Sequence, residues 1–327
     1  MRNWLRSSLA LTALLLPFAA AHAQSSYPDR PIRLIVAFVP GGATDTLGRQ
    51  IINDLAEGLG QSVIIENRPG ANGYLAWNHV AAAEPDGYTL LLAENALAIS
   101  QALHKKATSP FDPLTQYVGI AGIATSPSVL LVSNNVPVNS VAELVAYSKT
   151  VSTKLNFASA GVGSVSHLIF EVFKDGVGMD AIHIPYKGGG QSINDVVAGH
   201  VPMTLNSIQA SKGLVETGKV KGLGVTSSAR SPALPNVPTL VEAGMRPPPM
   251  DMRFWFALFA PKGLPEPIKA KIENVVSTML TKQSLRDRLA RLDISPDFVP
   301  GPALQTKLAT EIQSWTRFID AKGIKPQ

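Results

Sequence analysis

Two glycine-rich segments of the sequence carry residue types suited to binding an anion. The first turn, residues 38–45, reads F-V-P-G-G-A-T-D, and the second turn, residues 159–167, reads S-A-G-V-G-S-V-S-H. Each follows an apolar run and precedes a stretch with helical periodicity. The first backbone N–H groups of a helix lack partners within the helix and lie at the positive end of its dipole. Uncharged donors of this kind in both turns would suit a carboxylate.

The first turn is predicted to connect a buried strand to an amphipathic helix. The preceding apolar run should end at Pro40, because proline cannot donate a hydrogen bond to a β-ladder. Gly41 and Gly42 allow a positive φ angle or a close approach of a ligand to the backbone. Thr44 and Asp45 are candidate helix caps, and an ordinary strand-to-helix turn is the alternative to a binding site. The ligand-binding residues predicted here are Phe38, Pro40, Gly41, Gly42, Thr44 and Asp45.

The second turn repeats this arrangement with more polar side chains. Its backbone N–H groups from Gly161 to Ser164, together with the Ser164 hydroxyl, are predicted to bind the anion from the other side. His167 falls in the first turn of the following helix. There its imidazole could donate to the ligand, or it could make a structural cap contact instead. The ligand-binding residues predicted here are Ser159, Gly161, Gly163, Ser164 and His167.

The sequence lacks the motifs of several enzyme classes. It contains no G-x-S-x-G elbow, no S-x-x-K pair and no G-x-x-x-x-G-K-[ST] phosphate loop. Residues 161–166 resemble a dinucleotide-binding fingerprint, but Ser166 replaces its third glycine and no acid follows the next strand to bind a ribose. There is no cysteine, and no two histidines lie four residues apart on a helix, so a metal site is not indicated. We therefore predict no catalytic residues, no cofactor and no metal.

The N-terminal residues have the pattern of a secretory signal. Basic Arg2 and Arg6 precede an apolar stretch at residues 9–16 and a small-x-small site, and residues 1–23 are predicted to be removed before Gln24. A retained anchor is the alternative, but the apolar stretch is well short of the ~20 residues that a membrane span needs. Without the two arginines the Lys+Arg count falls from 29 to 27 against 24 acids, and the net charge from +5 to +3. The basic residues are scattered, which does not indicate a nucleic acid partner.

The elements around both turns alternate between strands and helices. This order predicts a mostly parallel sheet with helices on its faces, in which ligands bind beyond the carboxyl ends of the strands. Residues 118–132 are interpreted as a crossing into a second lobe that repeats the plan of the first, and residues 254–259 as the returning strand. Lobe 1 is predicted to comprise residues 24–124 plus 254–327, with two terminal amphipathic helices packed on it, and lobe 2 residues 125–253. Closing the lobes would bury one carboxylate between the two turns.

Short motifs along almost the whole mature chain resemble one protein family. They are Y-P-D-R-P-I at 27–32, P-G-G at 40–42 with Asp45 and Arg49, N-R-P-G-A-N-G at 67–73, P-D-G-Y-T-L at 85–90, P-Y-K-G at 185–188, L-P-N-V-P-T-L at 234–240 and A-P-K-G-L-P at 260–265. In this order they resemble the periplasmic solute receptors of the tripartite tricarboxylate transporter family, also called Bug-type receptors. The resemblance implies a two-lobed α/β fold of the type II periplasmic-binding-protein, or Venus-flytrap, kind without enzymatic activity. It also implies that a monomer holds one ligand carboxylate between the two turns and presents the ligand to membrane permease subunits from the periplasm.

The residues that contact the rest of the ligand are less well defined. Asn206 stands near the position where many members of the resembled family have an acid at a strand end. The candidates to line this part of the site, with core packing as the alternative, are Phe38, Tyr186, Asn206 and Phe254. The ligands of the family include amino acids, di- and tricarboxylates and aromatic acids, and the sequence does not choose among them. Two other functions stay open at this point, a secreted hydrolase-like enzyme and a ligand-sensing partner of a membrane kinase.

Overall fold

The computed structural model of the protein describes residues 27–108, 111–248 and 250–325. The predicted signal peptide, residues 1–23, lies outside them. Within the described residues, none of the helices has both the length and the apolar character that a membrane crossing requires. The chain folds into two α/β units, one built on a six-stranded sheet and the other on a five-stranded sheet.

The chain builds part of the first sheet, then the second sheet, and then returns to the first. The opening segment contains β1 (Ile32–Val36), α1 (Ala43–Leu59), β2 (Val63–Asn67), a 3-10 turn (Ala71–Gly73), α2 (Tyr74–Ala81), β3 (Thr89–Glu94), α3 (Ala96–Thr108), α4 (Pro113–Gln116) and β4 (Tyr117–Ser126). The middle segment contains β5 (Ser128–Val132), α5 (Val141–Thr150), β6 (Leu155–Ser159), α6 (Val165–Val177), β7 (Ala181–Pro185), α7 (Gly189–Ala198), β8 (Met203–Ser207), α8 (Ile208–Glu216) and β9 (Lys221–Val225). The closing segment contains β10 (Phe254–Pro261), α9 (Glu266–Met279), α10 (Gln283–Ala290), β11 (Ser295–Pro300) and α11 (Gly301–Lys322).

Both sheets combine parallel and antiparallel strands. The first has the order β11-β4-β10-β3-β1-β2, in which β1 pairs in parallel with β2 and β3. The second has the order β7-β6-β8-β5-β9, in which β6 pairs in parallel with β7 and β8. The chain enters the second sheet through β5 and returns to the first sheet through β10. Both strands begin at the edge where the parallel strands of their sheet end, so both run antiparallel to their neighbours. The predicted two-lobed α/β fold is confirmed, although antiparallel pairings outnumber parallel ones in the first sheet.

The strand before the first turn ends earlier than the sequence predicts. β1 stops at Val36 and does not reach Pro40. The Phe38 carbonyl oxygen accepts a hydrogen bond from the side chain of Asn67, at Nδ2 (3.0 Å), in place of a strand N–H group. The side chain of Asn67 thus holds the backbone at the point where it has left the sheet and the turn begins.

The end of the chain contains more structure than the sequence predicts. Between the two expected amphipathic helices, α9 and α11, lie the helix α10 and the strand β11. β11 contains Pro296 and Pro300, which lack an N–H group and are tolerated because this strand lies at the edge of the sheet. α9 packs against α1, and α11 packs against α3 and β4. The prediction that both terminal helices pack on the first lobe is therefore confirmed.

The core of the first lobe is organised around β10, which lies between β3 and β4. All eight residues of this strand are buried, among them Trp255, Phe256 and Phe259. Burying one phenylalanine side chain contributes roughly 1.5–3 kcal/mol to folding. This returning strand therefore anchors the end of the chain to the sheet that carries the first turn.

Candidate functional site

Both turns lie at the boundary between the two sheets, called the lobe boundary below. β4 ends at Ser126 and β5 begins at Ser128, so strands that run in the direction of β4 end at this boundary. β1 runs in that direction, and the first turn follows it. β6 is parallel to β8 and therefore opposite to β5, so it also ends at the boundary, where the second turn follows it. The structure thus places the two turns on opposite sides of one boundary.

The second turn touches the first lobe directly. Leu103 of α3 lies so close to Gly163 that a Cβ atom at that glycine would sit 2.8 Å from Leu103 Cδ2. Gly163 also has a φ angle of +75°, which residues with a Cβ atom rarely adopt. Glycine is therefore required at this position for both steric and backbone reasons.

The first turn is held in place by the carboxylate of Asp45. Asp45 Oδ2 accepts hydrogen bonds from the Gly41 amide (2.9 Å) and from Arg49 Nε (2.8 Å). Asp45 Oδ1 accepts a hydrogen bond from Asn67 Nδ2 (3.0 Å). Burial alone would raise the pKa of Asp45, but the hydrogen bonds from these three groups outweigh that effect and hold the pKa below its usual range. The side chain is therefore ionised, and its oxygens are occupied by the turn itself.

The helix after the first turn begins without a side-chain cap. α1 starts at Ala43, and its N-cap is Gly42, whose backbone is extended (φ −71°, ψ 170°). Thr44 and Asp45 lie inside the first helical turn, so the prediction that they cap the helix is wrong. The Gly42 amide donates to the Val39 carbonyl (3.3 Å), whereas the N–H groups of Ala43 and Thr44 have no hydrogen-bond partner among the described residues. The unpaired donors of the first turn are thus at the start of the helix.

The second turn is held by uncharged groups. Ser164 is the N-cap of α6, and its Oγ accepts from the His167 amide (3.3 Å) and donates to the Gly161 carbonyl (2.7 Å). Ser159 Oγ accepts from the Gly161 amide (3.0 Å). His167 Nδ1 accepts from the Gly163 amide (3.2 Å), and the Ser164 amide donates to the Gly161 carbonyl (3.1 Å). Of the four amides predicted as ligand donors in this turn, those of Gly161, Gly163 and Ser164 are therefore hydrogen-bonded within the turn, whereas the Val162 amide has no hydrogen-bond partner among the described residues.

Two further unpaired donors follow the second turn, at the start of the next helix. Val165 and Ser166 form the first turn of α6, and their N–H groups have no partner among the described residues. This matches the Ala43 and Thr44 amides at the start of α1. Two helix N-termini, each with at least two N–H groups that are unpaired among the described residues, therefore lie at the lobe boundary, one from each lobe.

Two stacked histidines lie beside the second turn. The ring centroids of His167 and His183 are 3.8 Å apart, and His183 Nε2 is 2.6 Å from Ser159 Oγ. Burial, with His183 and Lys174 nearby, lowers the pKa of His167 to about 3. Burial and Lys174 lower the pKa of His183 to about 4. Both rings are neutral near neutral pH, and His183 is too weak a base to activate Ser159. The hydrogen bond that His167 Nδ1 accepts fits the alternative prediction for this residue, a structural contact within the turn.

The predicted polar residues for the far end of the ligand are bonded within the second lobe. Tyr186 Oη donates to Asp195 Oδ2 (2.6 Å). Asn206 Nδ2 donates to Ser192 Oγ (3.2 Å), and Asn206 Oδ1 accepts from the Ser207 amide (3.0 Å). Their hydrogen bonds thus position α7 and the start of α8 against the sheet.

The predicted apolar residues differ in exposure. Phe254 is buried, and its ring lies nearly parallel to that of Phe256 with a centroid distance of 6.1 Å. Phe38 is half-buried and packs against the core of the first lobe. Pro40 is exposed at the tip of the first turn, next to Gly41 with its φ angle of +85°. Of these side chains, Phe38 and Pro40 are the ones with surface left for a ligand.

A third turn, residues 67–73, also reaches the lobe boundary. Gly70, Ala71, Asn72 and Gly73 have positive φ angles of 135°, 45°, 52° and 101°. A non-glycine residue held in this region costs roughly 1–3 kcal/mol and is typical of functional sites. Asn72 Nδ2 lies 3.5 Å from the carbonyl oxygen of Val162, on the other side of the boundary. In the sequence this motif supported only the family resemblance, although its Gly and Asn residues already indicated left-handed backbone.

Buried polar groups line the crossing between the lobes. Gln209 Nε2 donates to Ser126 Oγ (2.8 Å). Ser128 Oγ and Gln209 Oε1 are buried and have no hydrogen-bond partner among the described residues. Because buried polar atoms are normally hydrogen-bonded, these are positions where a ligand or a water molecule can bind. Isolated Ser and Gln residues form no motif, so the sequence did not reveal them.

Glu94, at the end of β3, lies beside the first turn. Thr44 Oγ1 donates to Glu94 Oε2 at 2.5 Å, and the two residues are 1% and 8% exposed. Burial raises the pKa of Glu94 to about 7, and the hydrogen bond from Thr44 opposes this only in part. Glu94 was not among the predicted site residues. A single acid at the end of an otherwise apolar strand was the available signal.

The fold and these turns define a class of protein, a two-lobed solute-binding protein with paired helix N-termini at the lobe boundary. Residues 47–324 match the family described as the tripartite tricarboxylate transporter family receptor. The chain therefore belongs to this family of transporter receptors, and the predicted resemblance is confirmed. Membership of a receptor family also confirms the prediction that the protein is not an enzyme.

Relatives of the chain are found over almost its whole length. A UPF0065 protein of Bordetella pertussis is 35% identical over 320 residues, which cover 98% of this chain and 97% of the relative. A structure of an R. palustris protein with adipate is 33% identical, covers 92% of this chain and 100% of that chain, and has a TM-score of 0.84. The structure of MatC from Rhodopseudomonas palustris with bound malate is 33% identical, covers 89% of this chain and 99% of that chain, and has a TM-score of 0.77.

Proposed function

We propose that the protein captures a small organic carboxylate between its two lobes in the periplasm and delivers it to the membrane permease subunits of a tripartite tricarboxylate-type transporter. The observation that carries this proposal is the pair of helix N-termini, α1 and α6, with unpaired N–H groups on opposite sides of the lobe boundary. The dipole and the N–H groups of a helix N-terminus both favour an anion. The adipate and malate in the structures of two relatives support a carboxylate as the ligand.

The proposed ligand carboxylate accepts hydrogen bonds from both helices. One oxygen faces the N–H groups of Ala43 and Thr44, and the other faces those of Val165 and Ser166. The glycines of both turns bring the backbone close to the ligand, while Asp45, Ser159, Ser164 and His167 hold the turns in shape. Phe38, Pro40, Tyr186 and Asn206 remain the proposed lining of the far end. No acid or base chemistry is required for this task.

Contacts across the boundary support a closing motion as the means of capture. Lys322 of α11 forms an ion pair with Asp175 of α6, which belongs to the other lobe. Ser231 Oγ donates to Asp293 Oδ2 (2.6 Å), joining the segment after β9 to the loop after α10. A ligand that contacts both lobes binds the closed arrangement better than the open one and so shifts the equilibrium toward it. We propose lobe bounds of residues 24–124 plus 254–327 and 125–253, with the last two residues of β4, Thr125 and Ser126, at the crossing between the lobes.

Three further elements of the proposal concern the protein in the cell. Residues 1–23 act as a signal peptide that directs the chain to the periplasm. The mature receptor acts as a monomer, because one chain supplies both turns of the site. The closed, liganded form is the one that docks on the permease subunits, since closure changes the surface that both lobes present.

A thermal-shift screen tests the ligand class. The panel contains adipate, malate, citrate, glutamate and benzoate, with adipamide as the uncharged counterpart of adipate. At a ligand concentration of ~100 Kd, binding should stabilise the protein by ~2.7 kcal/mol. At least one acid should raise the melting temperature while adipamide does not. No shift with any acid, or an equal shift with adipamide, would overturn the proposal.

Proline substitutions test the individual amide donors. Proline is tolerated at the first position of a helix, where it removes only the N–H group. Ala43→Pro and Val165→Pro should each weaken binding of the best acid about tenfold or more, because each removes one hydrogen bond to a charged group. Val141→Pro, at the same position of α5, is the matched control, since Ser140 there has the extended backbone that proline requires of its predecessor. Equal affinities of all three variants, measured by calorimetry, would place the ligand elsewhere.

A further inference from the structure

Glu94 is a buried acid beside the first turn whose described hydrogen-bond partner is uncharged. Its carboxyl group accepts from the Thr44 hydroxyl at 2.5 Å, and the residue is 8% exposed. Thr44 is the second residue of α1, and its backbone N–H group is one of the donors proposed for the ligand. The Glu94 carboxyl is therefore bonded to the side chain of a residue whose backbone would bind the ligand carboxylate.

The charged groups on the neighbouring elements do not neutralise Glu94. On α1, Asp45 and Arg49 are paired with each other. Ahead of β10, Asp251 and Arg253 are paired at 2.6 Å. On β1, Arg33 donates to Thr89, which lies at the opposite end of β3 from Glu94. On α3, residues 96–103 carry no charge. Burial and the Thr44 hydroxyl are accordingly what set the pKa of this acid, at about 7.

Two carboxylates in the same buried corner repel each other strongly. When two such groups share a site, the pKa of one of them rises well above its usual value. The helix dipole and the N–H groups of α1 favour one negative charge at this position. If the ligand and Glu94 are both ionised, the two carboxylates share the stabilisation that this dipole and these N–H groups provide. The arrangement is therefore more stable when one of the two carboxyl groups carries a proton.

We propose that Glu94 is a specificity-determining residue that makes ligand binding proton-linked, so that the first turn receives a carboxylate when Glu94 is protonated. This inference rests on the proposed function. If Glu94 is ionised in the free receptor, it takes up one proton from solvent as the ligand binds. The acid then has an O–H group to donate to the ligand or to Thr44. An ionised Glu94 opposes a second anion in the turn, and a protonated one accepts it.

The sign of the pH dependence follows from this linkage. Below pH 6.5 Glu94 is largely protonated in the free receptor, so only a small fraction of a proton is taken up for each ligand bound. Above pH 8 it is largely ionised, so each bound ligand takes up close to one proton. The apparent affinity then falls about tenfold for each further pH unit.

Calorimetry of the wild-type receptor with the strongest-binding acid of the screen tests this inference. Titrations at pH 6.5, 7.5 and 8.5, each in two phosphate-free buffers with different heats of ionisation, separate the binding heat from the heat of buffer ionisation and so count protons. Proton uptake should rise toward one, and the Kd should increase about tenfold between pH 7.5 and 8.5. Glu94→Gln keeps the shape of the protonated acid, so it should show no uptake, a constant Kd, and tighter binding than wild type at pH 8.5.

A matched control is available in Glu311 of α11. Burial raises the pKa of this second acid to about 7 as well, and its partner is the Nε1 group of Trp255 (2.6 Å). Glu311→Gln should keep the proton uptake and the pH dependence of the wild-type receptor. Loss of both in this variant would assign the proton to Glu311 and overturn the role of Glu94.

The remaining outcomes separate this inference from the proposed function. If an acid binds with the same Kd at all three pH values and without proton uptake, the role of Glu94 is overturned and the carboxylate receptor stands. If Glu94→Gln titrates like the wild type, the role is likewise overturned. If no acid of the panel binds at pH 6.5, the proposed function fails and this inference fails with it.

Discussion

The first and second turns place similar helix N-termini at the lobe boundary but are built from different chemistry. The first turn is held by an ionised carboxylate, Asp45, which is paired with Arg49. The second turn is held by hydroxyl groups and by the neutral ring of His167. Both leave the N–H groups of the first two helical residues unpaired among the described residues. The comparison shows that the availability of these donors does not depend on how the turn behind them is supported.

The difference lies in how each turn responds to charge. A ligand carboxylate at the first turn meets Asp45 and Glu94, two acidic residues already present there. At the second turn it meets uncharged groups, with Lys174 and Glu171 paired nearby (2.8 Å). The second turn should therefore bind an anion at any pH above the pKa values of its two histidines. The first turn should set how ligand affinity depends on pH.

Acid should destabilise the second turn, which is the largest effect expected. The folded-state pKa values of His167 and His183, about 3 and about 4, lie below the unfolded value of roughly 6.5, so their stabilising effect is present above that pH and lost as the pH falls. Between pH 7 and pH 5 each histidine should cost about 2 kcal/mol. In His167→Asn an amide oxygen replaces Nδ1 as acceptor, and urea unfolding should show a loss about 2 kcal/mol smaller than in the wild type.

In the same unfolding experiment, Glu94 should show the opposite dependence of stability on pH. Its pKa is raised in the folded protein, so it favours folding least at high pH, where burying the ionised carboxylate is costly. Glu94→Gln should therefore stabilise the protein at pH 8 and have little effect at pH 5. If His167→Asn and Glu94→Gln change the pH dependence in the same direction, the contrast between the two turns is refuted.

Asp45→Asn should produce a smaller effect than acid has through the two histidines together, and one confined to the first turn. The amide keeps the shape of the side chain but loses the charge that binds Arg49 and the Gly41 amide. A hydrogen bond to a charged group contributes about 1.5–3 kcal/mol, so we expect a loss of about 2 kcal/mol at pH 7 by urea unfolding. Because the pKa of Asp45 is lowered in the folded state, its stabilising effect is lost as the pH falls through that pKa, and the difference from the wild type should shrink in strong acid.

The control for this variant is an exposed ion pair of the same kind. Asp86 pairs with Arg30 at 2.8 Å, with side chains 39% and 61% exposed. Exposed pairs contribute less than about 1 kcal/mol, so Asp86→Asn should change stability little. A similar loss in both variants would mean that the buried position of Asp45 gives it no special role in the turn.

The sequence was sufficient to predict the fold and the location of the two turns. Alternating strands and helices, glycines after apolar runs and many short motifs all indicated the same two-lobed fold. The error at the start of α1 has a physical cause, since a glycine with extended backbone can serve as the N-cap without any side-chain bond. β11 was missed because its prolines argue against a strand unless its position at the sheet edge is known.

The site could be predicted only in part, because its donors depend on which hydrogen bonds the turns use internally. The amides of Gly161 and Gly163 were predicted to face the ligand, but Ser159 and His167 accept from them in the structure. Glu94 could not be assigned from sequence, because its proximity to Thr44 depends on the pairing of β1 with β3. The Thr44–Glu94 contact joins residues far apart in the chain, and the two contacts within the second turn depend on side-chain orientations, so spacing alone reveals neither kind.

The smallest effect concerns the third turn, whose motif was recognised without a role. Asn72 has a φ angle of +52°, and its Nδ2 lies 3.5 Å from the Val162 carbonyl across the boundary. In Asn72→Gly the backbone strain is relieved while this contact is lost, so stability should change by less than about 1 kcal/mol and ligand affinity should fall several-fold. Ala71→Gly is the matched control, since Ala71 has a φ angle of +45° and a side chain without a polar group. Calorimetry should show that only the Asn72 variant binds more weakly, because relief of strain is common to both while the contact across the boundary belongs to Asn72. Equal affinities in the two variants would mean that the turn supports its own lobe and takes no part in closing the receptor.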